Sequence, residues 1–226
     1  MNDGPASQYA SGWFRGILGA KGILQGGEAA RFWKPSPAAF WGCPPFTTMS
    51  KRNLPLSKVY GLLEPGPVVM ITSLGSGWPN IMTMSWHTMM DFEPPLVGCV
   101  IGEGSLTFAN VLKTRECVIN IPTVELAKPM VGCGNTSGRE VDKFKRFGLT
   151  PAAAEMVKAP LIEECYANLE CRLVNSKLAK TFNFLILQVV KAWIEPKRKH
   201  PRTLHHLGWG RFMVAGQTVR LPSKMR

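Results

Sequence analysis

Residues 68–72 (VVMIT) and residues 80–86 (NIMTMSW), separated by a short polar segment, are the stretch of sequence that decides the fold. The first segment is a short apolar run, and the second mixes apolar with polar residues. Between them, residues 75–79 (GSGWP) are rich in the residue types that favour turns. Two such segments on either side of a turn predict a β-hairpin.

The pattern outside this hairpin also favours strands. Buried strands are predicted at residues 96–101, 117–121 and 182–194, and alternation around residues 169–174 predicts another. Short helices are predicted at residues 105–115, 124–131 and 141–147, with Ser105 as an N-cap and Gly148 as a stop. Strands dominate and no regular βαβ alternation is present, so we expect a mainly β fold: a closed or split antiparallel barrel rather than a doubly wound sheet.

Length and composition predict one domain with an appendage. The chain has 226 residues, of which 45% are hydrophobic, enough for a sizeable core. Residues 1–48 are rich in Gly, Pro, Ala and aromatic residues but lack a helical or strand period, and the composition changes near Met49. We therefore expect a poorly ordered or upstream-translated extension at residues 1–48 and the folded domain at residues 49–226. The apolar runs are too short to span a membrane and no secretory signal is recognisable, which predicts a cytoplasmic protein.

The positive charge is concentrated near the C-terminus. The formal net charge is +12, yet residues 49–190 hold 14 Lys/Arg against 12 Asp/Glu, whereas residues 191–226 hold 9 against one. The segment at residues 196–201 (PKRKHP) predicts an exposed loop. It is either a solvated arm or a region that attracts a phosphorylated dinucleotide or a nucleic acid. A nucleic acid is disfavoured because base-stacking aromatic residues are not interleaved there.

The six cysteines include no C-x-x-C pair, which argues against a zinc ribbon, and no metal site is predicted. Most of them are expected to be small buried hydrophobic residues. Cys133 is the exception because it is predicted to lie in a Gly-rich loop, where it has the option of facing a cofactor.

Two groups of polar residues are compatible with a cofactor. Ser105 and Thr107 lie at the predicted start of a helix, where backbone N–H groups and the helix dipole favour an anion, and Lys143 adds a charge. Ser105 as a plain N-cap and Lys143 on a solvated helix face are the alternatives. Residues 80–87 place polar side chains on both faces of one strand. Trp86 as a core aromatic and His87 as a surface histidine are the alternatives there.

Taken in order, the motifs resemble the flavin reductase-like family, which has an FMN-binding split barrel, and its flavoredoxin branch in particular. The similar segments are residues 80–87 (NIMTMSWH), 94–98 (PPLVG), 118–122 (VINIP), 133–134 (CG), 137–144 (SGREVDKF) and 158–162 (KAPLI). The likeness extends over residues 55–212. It is the order of the motifs that makes it specific, because each motif alone is common in loops.

The resemblance implies FMN as the cofactor and assigns its contacts. Asn80, Thr83, Ser85 and Trp86 would contact the flavin and its ribityl chain, and Thr107 and Lys143 would lie nearer the phosphate, where Ser105 also begins its helix. Phe212 follows the family's H-L-G-G motif, present here as residues 206–210 (HLGWG), and is included among the cofactor contacts. No catalytic residue is assigned firmly, and His87 and His206 are the two candidates.

Three residues depart from the family pattern. Phe182 stands where the family has a flavin-side histidine, and Leu187 stands where it has a glycine. Trp209 replaces a glycine of the H-L-G-G motif, which predicts a narrower flavin pocket.

The expected function is that of a homodimeric FMN oxidoreductase, which takes electrons from NAD(P)H and passes them to free flavin, iron or a redox protein. No G-x-G-x-x-G motif follows a strand, so the nicotinamide would bind transiently, drawn by Arg198, Lys199 or Arg202. The alternatives are a flavoredoxin-like carrier without direct NAD(P)H activity, a nucleic-acid-binding barrel and a flavin-free interaction protein.

Overall fold

The structure is a computed structural model that describes residues 66–222. The extension predicted at residues 1–48 lies outside this range. The strands are β1 Val69–Ser73, β2 Asn80–Met84, β3 His87–Phe92, β4 Pro95–Val100, β5 Glu116–Ile121, β6 Pro151–Ala152, β7 Leu161–Ile162, β8 Ala167–Asn175, β9 Phe184–Ile194, β10 Leu204–Gly208 and β11 Arg211–Val214. The helices are α1 Leu106–Thr114, α2 Ala127–Asn135, α3 Lys143–Phe147 and α4 Ala179–Phe182, and a 3₁₀ turn at Val124–Leu126 precedes α2.

Seven strands form one antiparallel sheet in the order β2-β1-β5-β8-β9-β4-β3. β2 and β3 are consecutive in the chain, separated by Ser85 and Trp86, yet they form opposite edges of the sheet. A sheet can satisfy both conditions only if it curls until its edges approach each other. Those edges do not pair, so the barrel is split, and the mainly β, split-barrel prediction is confirmed.

The β1–β2 hairpin forms as predicted, with Ile71 opposite Met82. β1 is buried on both faces, because Val69 and Ile71 join the main core while Val68 and Met70 join a second cluster on the opposite side. A continuous apolar run is what a strand covered on both faces requires.

The caps of two helices agree with the sequence analysis. Ser105 Oγ accepts a hydrogen bond from the Phe108 N–H at 3.0 Å, at the start of α1. Gly148 ends α3 with φ 63°, a left-handed conformation that glycine adopts without strain. The helix predicted at residues 124–131 begins as the 3₁₀ turn and extends to Asn135 instead.

Two apolar clusters hold the layers together. The main core lies inside the curled sheet and is closed by Phe108 and Val111 of α1. The second cluster joins β1 and β2 to α2, α3 and the β10–β11 hairpin through buried residues such as Met130 and Phe144. β2 therefore separates the barrel interior from the helical layer.

The strand predicted at residues 182–194 is wrong at its start. Phe182 is the last residue of α4 and is 61% exposed, and Asn183 has φ 56°, which turns the chain before β9 begins. Asn183 stabilises this turn because its Oδ1 accepts from the Glu103 N–H and its carbonyl accepts from the Ile101 N–H. Leu187 lies in β9, fully buried in the main core, so it fills the barrel interior.

The β10–β11 hairpin docks beside the start of β1. The Val68 N–H donates to the Leu204 carbonyl at 2.7 Å, and Pro67 forms a bridge with His205. Trp209 lies in the turn of this hairpin and is 83% exposed, and its expected effect on a flavin pocket stays a prediction. Among residues 66–222, no helix is long and apolar enough to cross a membrane.

Candidate functional site

β2 carries a buried polar contact at its first residue. Asn80 is 3% exposed, and its Nδ2 donates to Thr107 Oγ1 at 2.8 Å. Thr107 is fully buried in the first turn of α1. The contact links the sheet edge to the helix N-terminus and brings together two of the predicted cofactor residues.

Asn80 is also covered by a glycine. A Cβ added to Gly138 would lie 1.8 Å from Asn80 Oδ1, far inside van der Waals contact, so the loop approaches because position 138 has no side chain. The Gly138 carbonyl in turn accepts from Trp78 Nε1 at 3.0 Å. Within the described part of the chain, Asn80 Oδ1 is a buried side-chain oxygen without a hydrogen-bond partner. It is an acceptor that lacks a donor.

The N-terminus of α1 supplies groups that suit an anion. The first turn of an α-helix leaves backbone N–H groups without acceptors inside the helix, and the positive end of the helix dipole adds to their effect. Arg139 reaches this region from the Gly-rich loop, since its guanidinium donates to the Gly104 carbonyl at 3.1 Å. Arg139 belongs to the motif at residues 137–144, and its contact with a residue 35 positions away could not be inferred from that motif.

Lys143 lies behind β2 rather than on a solvated face. Its Nζ donates to the carbonyls of Ile81 and Cys133, at 2.6 and 2.7 Å, and the residue is 4% exposed. Burial disfavours the charged ammonium and lowers the pKa of Lys143 to about 8. The side chain thus ties β2 to the end of α2 and places a titratable positive charge close to Asn80.

Thr83 is directed toward the helical layer, where its hydroxyl donates to the Met130 carbonyl at 2.6 Å. Period-2 alternation explains this, because Thr83 and Ile81 share one face while Asn80 and Met82 share the other. Thr83 therefore fixes β2 against α2. The predicted contact of Thr83 with a cofactor stays a prediction.

A second group of predicted residues lies at the exit of β2. Ser85 is buried, and the Trp86 carbonyl accepts from the Val100 N–H at 3.0 Å. His87 begins β3, and its Nε2 lies 2.7 Å from the Pro67 carbonyl. Gly66 packs against His87 and Ser85, because a Cβ added to Gly66 would lie 3.4 Å from the His87 ring and from the Ser85 carbonyl oxygen.

His206 and Phe212 form an aromatic pair across the β10–β11 hairpin, with ring centroids 5.2 Å apart. Because Pro67 bridges the neighbouring His205, this pair lies close to the exit of β2. The structure thus places His87, His206 and Phe212 in one region. The His87 ring is occupied with a backbone carbonyl, which gives it a positioning role.

Cys133 does not present a reactive thiolate. It is buried in the second cluster, and burial raises the pKa of its thiol to about 12, although Lys143 acts in the opposite direction. Burial also raises the pKa of the Cys99 and Cys165 thiols. Across residues 66–222, no group of three or more His, Cys, Asp or Glu residues is placed to hold a metal ion.

The two polar groups lie at opposite ends of β2. Asn80 and Ser85 are five residues apart, which corresponds to about 16 Å at the rise of an extended strand. One end offers helix N–H groups and Arg139, and the other offers aromatic and histidine rings. This arrangement suits an elongated ligand with an anionic end and a planar end.

The basic loop at residues 196–202 is held to the rest of the fold by side-chain contacts of Arg198. Arg198 Nη1 donates to Thr123 Oγ1 at 2.9 Å and lies 3.4 Å from Glu125 Oε2. The Thr123 hydroxyl and the charge of Arg198 are among the causes that hold the pKa of Glu125 below its usual value. Lys199 and Arg202 are exposed. The loop is therefore anchored just ahead of α2.

The sequence pattern characteristic of the flavin reductase like domain matches residues 62–211. This chain belongs to the flavin reductase-like family. The family prediction is confirmed, and the match covers the whole of the β2 region and the basic loop. YddH, an uncharacterized protein from Escherichia coli K12, is 34% identical over 172 residues, which cover 70% of this chain and 91% of that protein. An uncharacterized protein from Archaeoglobus fulgidus is 38% identical over 121 residues, which cover 52% of this chain and 68% of that protein.

Solved structures with the same fold include an FMN-binding domain and a flavoredoxin. An FMN-binding domain of a flavin reductases-like enzyme from Shewanella baltica superposes with a TM-score of 0.66 at 24% identity and covers 75% of this chain and 96% of its own. Flavoredoxin of Desulfovibrio vulgaris gives a TM-score of 0.64 at 20% identity, covering 77% and 95%. Nitrilotriacetate monooxygenase component B from Bacillus cereus gives a TM-score of 0.65 at 20% sequence identity. The superposition covers 81% of this chain and 99% of that protein. The fold of these proteins is thus shared by this chain.

Proposed function

We propose that this chain binds FMN and acts as an oxidoreductase that passes electrons from NAD(P)H, through the bound flavin, to free flavin, iron or a redox protein. The observation that carries the proposal is the arrangement along β2, with anion-favouring groups at Asn80 and rings beyond Ser85. FMN has a phosphate at one end and a planar ring at the other. Membership of the flavin reductase-like family supports the same cofactor.

The Asn80 end fits the phosphate and the ribityl chain. The first turn of α1, with Ser105 and Thr107, and the guanidinium of Arg139 would hold the phosphate. A ribityl hydroxyl would supply the donor that Asn80 Oδ1 lacks. Lys143 would contribute charge from behind β2, because its Nζ already donates to two carbonyls.

The Ser85 end fits the ring. Ser85, Trp86 and Phe212 would border the isoalloxazine, while Thr83 keeps β2 in place through Met130. When bound, FMN supplies the hydride and electron chemistry, and the protein supplies orientation, charge and exclusion of water. His87 and His206 act in this proposal by fixing the position of β3 and the β10–β11 hairpin.

The nicotinamide donor would bind transiently, with the basic loop attracting its phosphates. Lys199 and Arg202 are exposed, while Arg198 is paired with Glu125. We expect replacement of the three by Ser to raise the KM for NADPH more than the KM for NADH, because a 2′-phosphate adds charge. As a control, replacement of the exposed Lys113, Lys177 and Lys180 by Ser should leave the KM for NADPH and the KM for NADH unchanged. An equal effect of the loop variant on both dinucleotides would remove the loop from the proposal.

The activity is tested by adding NADH or NADPH to the FMN-loaded protein without oxygen. Rapid loss of the flavin absorbance near 450 nm after mixing supports direct reduction of the bound FMN by the dinucleotide. A flavin that stays oxidised with both dinucleotides but bleaches with dithionite would contradict it and indicate a carrier reduced by another protein. We also propose that the FMN-loaded chain forms a homodimer, and sedimentation at the mass of a monomer would contradict this.

A further inference from the structure

The turn of the β10–β11 hairpin places a tryptophan where the backbone has a positive φ. Trp209 has φ 57° and Gly210 has φ 71°. Two central residues with positive φ define a type I′ turn, which favours Asn, Asp or Gly at its first position. An indole-bearing residue is strained there, because its Cβ is crowded by the backbone.

Trp209 is also 83% exposed. A glycine at this position would remove both the backbone strain and the exposed apolar surface. The folded chain therefore gains nothing visible from this side chain within residues 66–222. A strained residue held outward points to a role in contacting another group.

The hairpin leads from the exit of β2 to this turn. Pro67 bridges His205, and the preceding Gly66 packs against the Ser85 carbonyl and the His87 ring. Trp209 follows His206 by three residues, which corresponds to at most about 10 Å along an extended chain. The Trp209 turn thus lies on the exit side of β2, four residues beyond the bridge between Pro67 and His205, which is about 13 Å along an extended chain.

We propose that Trp209 stacks on the isoalloxazine ring of FMN bound along β2, and so determines how tightly the ring end is held. This inference rests on the proposed function. The face of an indole recognises planar aromatic rings through offset stacking, and the flavin ring is the planar group expected at this end. The His206–Phe212 pair braces the hairpin at the two residues that face each other just before the turn.

The test is a titration of FMN into the full chain, stripped of cofactor, with flavin fluorescence as the readout. The variants are Trp209→Gly, Trp209→Phe and, as a control on the same hairpin, the exposed Met213→Ala. Stacking on an indole quenches flavin emission, so Trp209→Gly should make bound FMN brighter. Its Kd for FMN should rise about three- to tenfold, the range that an aromatic pair contributes. The Kd and the emission of Trp209→Phe should fall between those of the wild type and of Trp209→Gly. Met213→Ala should match the wild type in both.

Thermal melting of the cofactor-free variants guards against misfolding, and Trp209→Gly should melt at the same temperature as the wild type or higher. The stacking proposal is overturned if Trp209→Gly leaves both the Kd and the emission of bound FMN unchanged. It is equally overturned if the only effect is a shift from dimer to monomer in sedimentation, because Trp209 then docks on a second copy. Failure of the wild type to bind FMN at all would instead defeat the proposed function.

Discussion

Gly138 lies directly against the side-chain amide of Asn80, so closely that a methyl group on Gly138 would stand 1.8 Å from Asn80 Oδ1. The contact joins the loop that carries Arg139 to the first residue of β2. Because Asn80 also donates to Thr107, the loop, the strand and α1 meet at this point. The phosphate end of the proposed FMN site depends on that junction.

Gly138→Ala should force the loop away from β2. Overpacking of this kind typically costs about 1–3 kcal/mol, and the displaced Arg139 should weaken FMN binding as well. Urea denaturation and FMN titration measure the two effects. Gly77→Ala is the matched control, because a Cβ there meets nothing within 4 Å. Wild-type values for Gly138→Ala would show that the loop adapts freely and that the junction is unimportant.

Thr107→Val should leave the Nδ2 group of Asn80 buried without an acceptor. Such a loss costs about 1–3 kcal/mol of unfolding free energy. FMN affinity should fall too, because the first turn of α1 would lose its link to β2. Thr107→Ser retains the hydroxyl and should restore much of both properties. If Thr107→Val kept the unfolding free energy and FMN affinity of the wild type, the hydrogen bond between Asn80 and Thr107 would contribute to neither property.

The lowered pKa of Lys143 predicts that the stability of the fold rises with pH in a defined window. Its pKa falls from 10.5 to about 8 on folding, so between these values the folded chain binds fewer protons than the unfolded chain. The unfolding free energy therefore gains a contribution as pH rises through this window. Relative to Lys143→Met, the wild type should gain about 2 kcal/mol between pH 8 and pH 10. A difference that stays constant with pH would show that the ammonium is not desolvated.

Glu170 is a buried carboxylate that accepts from the N–H groups of residues 155–157 and from Trp193 Nε1. Burial raises its pKa, but these donors outweigh burial and the net pKa is lowered. Its contribution to stability is thus present above the ordinary glutamate pKa and lost as pH falls below it. Glu170→Gln should cost roughly 2 kcal/mol at pH 7, because an amide cannot satisfy all four donors.

The exposed Glu163→Gln is the control for the Glu170 variant. Denaturant unfolding at pH 7 and pH 4 should show that Glu170→Gln and the wild type become more alike in acid. An equal penalty at both pH values would mean that the carboxylate charge contributes nothing.

The sequence predicted features that depend on neighbours along the chain. The apolar run at residues 68–72 and the turn-rich residues after it predicted the β1–β2 hairpin, and the Ser105 and Gly148 caps followed from local backbone chemistry. The family resemblance predicted the split barrel. These features need only the order of residue types along a few turns or strands.

Features set by tertiary contacts were not predictable in the same way. The turn at Asn183, which excludes Phe182 from β9, depends on hydrogen bonds to residues 101 and 103. Likewise, the sequence suggests Lys143 either near the phosphate or on a solvated helix face, whereas its Nζ donates to a carbonyl 62 positions away. Neither partner can be identified from periodicity, because each belongs to an element that only the fold brings near.

The most direct test of the central claim is the equilibrium titration of FMN into the purified chain, followed by visible absorption and by separation of bound from free flavin. The account predicts a yellow protein that retains one FMN per chain, and an Asn80→Leu or Thr107→Val variant that retains less. A wild-type protein that stays colourless after removal of free flavin would contradict the account.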